Sequence, residues 1–371
     1  MPLDPLGKPV GSDFVCFWTA SQLALSSRSA MLYRPEKFYE AEEKTAKVPY
    51  PLPWQYPPTF LLMILPLALV PYLVSLFIFL ALTLAAYLLV LRFIAPHRLT
   101  MWLALAFPAT FQNVIHGQNG FLSAALLGGG LSFLDSRPVL AGVLLGFLTY
   151  KPHMAALVPF ALVAGRHWKS LCSMAVTTAC FVLLSAWVFG YGLWVDFLAN
   201  VQFAARLLTD GSHNLFKMPT IFAATLLAGG DIRLATGLQV VMGLTAGVLV
   251  TWAWYRGAPL YLKSALLVTG ILMVTPHAFE YDLTILALPL AWFCWHACSE
   301  RDTGRPLGRT EELIVLLAWL TPLVTAPFAR LTSLQLAPLF FAAFVAVLLR
   351  CLKEIPDTAG DRPEPKEERI R

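Results

Sequence analysis

What this sequence has least of is charge. Only 13% of its 371 residues are Asp, Glu, Lys or Arg, about half the usual share of a soluble domain. Acid is scarcest. From Pro58 to Cys298 it is confined to Asp135, Asp196, Asp210, Asp231, Glu280 and Asp282. A water-facing body of this length cannot be covered by so few ionised groups, whereas lipid asks for no such covering; this argues against a large soluble enzyme. Cysteine is also sparse. Cys16, Cys172, Cys180, Cys294, Cys298 and Cys351 show no metal-ligand spacing, so no metal site is expected. There is no Walker loop, Rossmann fingerprint, His-Glu-x-x-His pattern or Ser-His-Asp signature, which argues against ATP-driven transport and membrane metalloproteolysis.

What is present is apolar: 58% of the residues are hydrophobic. The pattern predicts an all-α, polytopic integral membrane protein of about eleven spans: Leu73–Ile94, Met101–Ile115, Phe121–Leu134, Val139–Tyr150, Met154–Ala164, Leu171–Phe189, Leu234–Tyr255, Tyr261–Thr275, Tyr281–Cys298, Leu313–Phe328 and Leu334–Leu352. Thr59–Val70 and Thr220–Ala228 are too short and too bounded by proline or glycine to cross, and read as interfacial or re-entrant helices.

The net charge of +5 is no signal for nucleic acid, because the basic residues sit in short loops between apolar runs. If Leu73–Ile94 runs inward, then Arg92, Arg98, Arg137, Arg166, Lys169, Arg256, Lys263, Arg301, Arg305, Arg309, Arg350 and Lys353 all fall on the cytoplasmic side. Arg206, Lys217, Arg233 and Arg330 are the exceptions. Three regions follow: an external, amphipathic first loop over 1–56, a transmembrane body over 57–352, and a disordered cytoplasmic tail over 353–371.

The polar groups assigned to the external side are the candidates for chemistry. Asp13 opens the run Phe14, Phe17, Trp18 and Ser21; it is either a helix N-cap or a general base whose pKa burial tunes. In His116-Gly-Gln-Asn-Gly120, His116, Gln118 and Asn119 offer hydrogen bonds suited to sugar hydroxyls or phosphate, or make an interfacial turn. Lys151 in Tyr150-Lys-Pro-His153 is a phosphate-binding point charge or a snorkelling helix-end lysine. His277, Glu280 and Asp282 bind substrate, cap the following helix, or pair with Lys151 or Arg206. Glu36, Glu40, Glu42 and Glu43, among Lys37, Lys44 and Lys47, read as a solvated face.

In their order along the chain, several motifs resemble one family. They are Asp13-Phe14 with Phe17-Trp18, Leu32-Tyr33, Trp54-Gln-Tyr-Pro-Pro-Thr-Phe60, Pro66-Leu-Ala-Leu-Val-Pro-Tyr72, Gly117-Gln-Asn-Gly-Phe-Leu-Ser-Ala-Ala-Leu-Leu127, Arg137-Pro-Val-Leu-Ala-Gly-Val-Leu-Leu-Gly146, Tyr150-Lys-Pro152 and Tyr281-Asp282. Over roughly Asp4 to Ala291 the chain resembles bacterial glycosyltransferase family 87, a branch of the GT-C superfamily of polyprenol-phosphate-sugar-dependent enzymes.

The resemblance implies a multi-helix GT-C fold in the bacterial plasma membrane, with a periplasmic active site and Asp13 in the place of the catalytic acid. Tyr56, His116, Gln118, Asn119, Lys151, His277, Tyr281 and Asp282 are the expected substrate-binding set. The implied partners are a polyprenyl-phosphate sugar, mannose first, a lipid or glycan acceptor, and membrane lipid, with no separate cofactor. The absence of an Asp-x-Asp motif agrees with a lipid-linked donor. The resemblance implies a further helix before Asp13, so the true start of the chain is expected upstream of Met1, the alternative being that the segment over 1–56 crosses unaided. A secondary transporter or lipid flippase is the rival class; no internal repeat relates two halves, which weighs against it.

The topology is open to test. Cysteine-accessibility labelling is expected to reach position 27 from outside the cell and position 358 only after permeabilisation. External labelling at 358 would overturn the assigned orientation.

Overall fold

The computed structural model describes residues 7, 9–46, 52–209, 215–299 and 307–354, with backbone alone at 46, 202–209 and 298–299. The side chain of Arg206 and the tail beyond Glu354 therefore lie outside the described residues. The regular elements within them are all helices, as an apolar chain in lipid requires, because only a helix satisfies its own backbone hydrogen bonds.

The chain begins with α1 (Phe14–Leu25), α2 (Pro35–Ala46) and α3 (Pro58–Ile64), and α3 continues into a 3-10 turn over Leu65–Leu69. Next come α4 (Tyr72–Ile94), α5 (Arg98–Ala106), α6 (Pro108–His116), α7 (Gly120–Ser132), α8 (Pro138–Phe147), α9 (Pro152–Ala155) and α10 (Val158–Ala164). The second half holds α11 (Trp168–Phe189), α12 (Tyr191–Thr209), α13 (Ile221–Leu227), α14 (Ile232–Tyr255), α15 (Leu260–Val274), α16 (Ala287–Ser299), α17 (Arg309–Thr332) and α18 (Ala337–Glu354).

Among the described residues, four helices are long and apolar enough to cross a membrane: α4, α11, α14 and α17. Their outer faces carry bare apolar side chains, among them Phe77, Leu82, Trp187, Leu244 and Leu331. Water would penalise such faces and lipid does not. The chain is thus a membrane protein. The shorter apolar helices include α1, α7 and α15.

Several predicted spans are interrupted, and proline explains two of the breaks. Met101–Ile115 divides into α5 and α6 because Pro108 has no N–H to continue α5, and Phe107 before it is extended. Met154–Ala164 divides into α9 and α10, with Pro159 in the first turn of α10. Tyr281–Cys298 begins as the 3-10 turn Glu280–Leu286 before becoming α16. The charged run read as one solvated face is α2. Glu36, Glu40 and Glu43 are exposed, but Glu42 is buried, one helical turn after buried Phe38. Helical periodicity puts Phe38 and Glu42 on one face, and that face turns inward.

α1 is enclosed on most of its surface rather than along one stripe. Phe14 and Phe17 pack against Phe79 of α4 (5.5 and 6.0 Å between ring centroids), and Phe17 meets Phe60 edge-on at 5.1 Å. The Tyr72 hydroxyl donates to the carbonyls of Val10 (2.7 Å) and Gly11 (3.0 Å), holding the start of α1 at the start of α4. Elsewhere the helices approach closely through small residues. On α8, Gly142 and Gly146 lie one turn apart against α11; a Cβ at Gly142 would stand 2.4 Å from the Ser170 carbonyl oxygen, and one at Gly146 would stand 2.6 Å from Thr177 Cβ. Gly142→Ala is therefore expected to lower stability by about 1–3 kcal/mol through overpacking. Thermal unfolding in detergent measures this; an unchanged melting temperature would mean that α8 and α11 are not in such close contact.

Candidate functional site

Asp13 resolves one of the sequence alternatives. It occupies the N-cap of α1, yet its side chain makes no capping hydrogen bond. Elsewhere in the chain, Asp231 caps α14 by accepting from the Leu234 N–H at 2.8 Å. The Asp13 carboxylate is instead engaged sideways. Ser12 Oγ donates to Oδ1 at 2.9 Å, Gln118 Nε2 donates to Oδ2 at 3.0 Å, and His116 Nδ1 lies 3.4 Å from Oδ1. The Asp13 backbone N–H donates to the His116 carbonyl at 3.0 Å, so two segments about a hundred residues apart are joined by backbone as well as by side chains.

That joint needs two glycines. Gly117 ends α6 in the left-handed region (φ 65°), and a Cβ there would stand 2.7 Å from Phe14 Cβ. A Cβ on Gly120, at the start of α7, would stand 2.6 Å from the Tyr281 carbonyl oxygen and 2.8 Å from Thr284 Oγ1. The sequence marks both glycines as places of close approach; what approaches is the protein's own Phe14 and the Tyr281–Thr284 turn.

From His116 the charges continue outward. His116 Nε2 lies 3.7 Å from Glu280 Oε1, and Lys217 Nζ lies 3.3 Å from the same oxygen. Asp13, His116, Glu280 and Lys217 thus form a string of alternating sign, with Lys217 the most exposed member. Beside it lies a fully buried pair, Lys151 and Asp282, with Nζ 2.5 Å from Oδ1. Lys151 also donates to Asn119 Oδ1 at 3.0 Å, and Asp282 Oδ2 accepts from the Phe279 N–H at 3.0 Å. Of the alternatives open for Asp282, the structure shows both capping and pairing with Lys151. Tyr281 stands between the two groups, with Lys151 Nζ 5.6 Å from its ring centre and the His116 ring 6.2 Å away.

The remaining candidates join by shorter or longer routes. The Tyr56 hydroxyl reaches Gln118 Oε1 at 3.5 Å, and its ring packs on Phe60. Asn119 keeps a buried side-chain N–H₂ with no hydrogen-bond partner. His277 is more distant: its ring meets Phe279 edge-on at 5.1 Å, and Phe279 stacks on Tyr281. Sequence reasoning did not single out Ser12, placed Lys217 on the external side without a role, and read Glu42 as part of a solvated face. Lys217 carried a signal, as a basic residue on the side where basic residues are few. Glu42, which accepts from the Leu52 N–H at 2.8 Å, was signalled by its spacing from Phe38. Ser12 carried none.

The family model for glycosyltransferase family 87 matches residues 54–276. The chain belongs to glycosyltransferase family 87. It is therefore a membrane glycosyltransferase. No curated protein and no solved structure matches it. The family 87 match takes in Tyr56, His116, Gln118, Asn119, Lys151 and Lys217, whereas Asp13, His277, Glu280, Tyr281 and Asp282 lie outside it. The fold brings Asp13, Glu280, Tyr281 and Asp282 into direct contact with the matched residues.

Three titrations follow from this geometry. Burial pushes the His116 pKa down, but the neighbouring Asp13 and Glu280 outweigh burial and raise it from 6.5 to about 9. Burial pushes the Asp13 pKa up, but His116, Gln118 and Ser12 favour the carboxylate and leave it below its ordinary value. Burial raises Glu42 from 4.5 to about 8, with Asp13 adding and the Leu52 N–H opposing. A raised pKa stabilises the fold fully below the unfolded value and loses that effect as pH climbs through the folded value. The contribution of Glu42 is thus lost between about pH 4.5 and 8, and that of His116 between about 6.5 and 9. Asp13 acts in the opposite sense: its contribution is present above its ordinary value of 3.8 and lost in acid. Thermal melts of the detergent-solubilised protein are expected to fall from pH 6.5 to 9. His116→Gln should flatten the stretch above pH 8, and Glu42→Gln should flatten the stretch below it. A wild-type curve level between pH 8 and 9 would contradict a charged His116.

Proposed function

We propose that this family 87 glycosyltransferase moves a hexose, mannose first, from a polyprenyl-phosphate sugar to an envelope lipid or glycan acceptor, with inversion and with Asp13 as the base. The observation that carries this reading is the Asp13 carboxylate, left unused as a cap and held between Ser12, Gln118 and His116. In the reaction Asp13 takes the proton of the acceptor hydroxyl. The acceptor oxygen forms a bond to the anomeric carbon, and the bond from that carbon to the phosphate oxygen breaks, its electron pair leaving with the polyprenyl phosphate.

The string of charges suits that sequence. His116 and Lys217 are the cations beside Glu280, and they can offset the charge that gathers on the leaving phosphate. His116 also holds the Asp13 pKa down. A phosphate that competes for His116 weakens this hold, so donor binding makes Asp13 a stronger base. Lys151 is neutralised by Asp282; the pair serves the substrate by fixing Asn119, whose unpartnered N–H₂ is suited to a sugar hydroxyl. Tyr56 and Tyr281 supply flat apolar faces for the sugar ring, and His277 lines the outer edge.

In this reading the shorter apolar helices complete about eleven crossings of a bacterial plasma membrane. The Asp13 end faces the periplasm, opposite the basic clusters around Arg166 and Arg256. Transfer from radiolabelled polyprenyl-phosphate mannose tests the function. Asp13→Asn keeps size and removes basicity, and is expected to lower turnover by about 10²–10⁴-fold with expression unchanged. Near-normal turnover in that variant would move the base elsewhere. Lys217→Gln should raise the donor KM roughly tenfold, the worth of one charged hydrogen bond, with little change in kcat.

A further inference from the structure

Three of the four side chains in Tyr150-Lys-Pro-His153 are polar, and the fold pairs the first two. The Tyr150 hydroxyl meets Ser123 Oγ at 2.7 Å and donates to the Asn119 carbonyl at 3.3 Å. Lys151 is shared between Asp282 and Asn119 Oδ1. His153, in α9, is the exception. Its ring is half-buried, yet Nε2 is shut off from solvent and has no hydrogen-bond partner.

An unpaired polar atom in a protein interior is unfavourable, and native folds keep few of them. Here two attend one ion pair: His153 Nε2 and the Asn119 N–H₂. Asn119 Oδ1 accepts from Lys151 Nζ, and the ionisable groups that act on the His153 ring are Lys151, Asp282 and His277. α9 also packs against α15, whose end leads through Thr275 to His277. The chemistry of the two unpaired groups narrows what they hold. Lys151 is balanced by Asp282, so this place suits a neutral group better than a phosphate. A ring buried beside the Lys151 ammonium stays neutral, and a neutral imidazole carries one donor and one acceptor. A hydroxyl, which also donates and accepts, is its match. The exposed edge of the ring gives access, and histidine turns easily about χ2 to bring a nitrogen there.

We propose that His153 is a specificity residue of the transferase: together with Asn119 it holds a hydroxyl of the transferred hexose beside the Lys151–Asp282 pair, and so selects the hexose. This deepens the reading of the donor given above and rests on it. The unpaired nitrogen is then a cost carried by the free protein and removed when the sugar binds.

The test uses the full chain in mild detergent, with polyprenyl-phosphate mannose and its monodeoxy analogues at C2, C3, C4 and C6 as donors. Transfer gives kcat/KM for each donor, and thermal melting gives stability. The wild type is expected to lose about tenfold in kcat/KM on one analogue, the worth of a neutral hydrogen bond. His153→Phe should lose about tenfold on the parent donor and nothing further on that analogue, because both changes remove the same contact. Its melting temperature should be unchanged or higher, since it buries no unpaired nitrogen. His153→Gln keeps a donor and an acceptor and should restore part of the discrimination. The smaller His153→Leu repeats the measurement where Phe is too large. A wild type that transfers mannose, with variants that discriminate among the analogues as it does, overturns the inference and leaves the donor reading standing. Phe and Leu variants that both unfold or melt lower make His153 a structural residue and also overturn it. A wild type that transfers from none of these donors overturns the donor reading, and this inference with it.

Discussion

The buried ion pair of Lys151 and Asp282 is the contact on which the functional end of this molecule depends. A lone ammonium or carboxylate in an apolar interior costs several kcal/mol, and removing one partner of such a pair leaves the other uncompensated. The pair reaches from the start of α9 to the 3-10 turn before α16, and its satellites fix the rest. Lys151 holds Asn119, Asp282 caps its own turn at Phe279, and Tyr281 is left between the pair and His116. Three segments of the chain, the His116–Asn119 loop, the start of α9 and the Phe279–Asp282 turn, are thereby held in one register by a single neutralised charge.

The string from Asp13 to Lys217 obeys the same rule with a different consequence. Its members alternate in sign, so each is compensated, but they are only partly buried and the last reaches the surface. A deep, doubly satisfied pair such as Lys151–Asp282 is suited to hold a shape. A partly open chain of charges is suited to exchange partners when an anion arrives. The two arrangements lie side by side, linked by Tyr281 and by the Gln118-Asn119 dipeptide, whose first residue serves Asp13 and whose second serves Lys151.

Opposite ends of the molecule thus present different chemistry to lipid. The Asp13 end mixes signs. The far end, where α10 and α14 terminate, is aromatic, with Arg256 over the ring of Trp252 and Lys263 over that of Trp254.

The sequence by itself determined the class, the helical content and much of the site. Scarce charge and long apolar runs leave no alternative to helices in lipid, and the order of modest motifs leads to family 87. Of the candidate residues, Asp13, Tyr56, His116, Gln118, Asn119, Lys151, Tyr281 and Asp282 are joined by contacts in the fold. Three things were decided only by tertiary structure. Whether Asp13 caps α1 or faces His116 depends on where α6 ends, which local sequence does not encode. Whether Lys151 meets solvent or Asp282 depends on a contact 131 residues away. Whether Glu42 is solvated depends on what covers the Phe38 face of α2. Periodicity names the face of a helix, but only packing names its neighbour, and for a charged group the neighbour sets the chemistry.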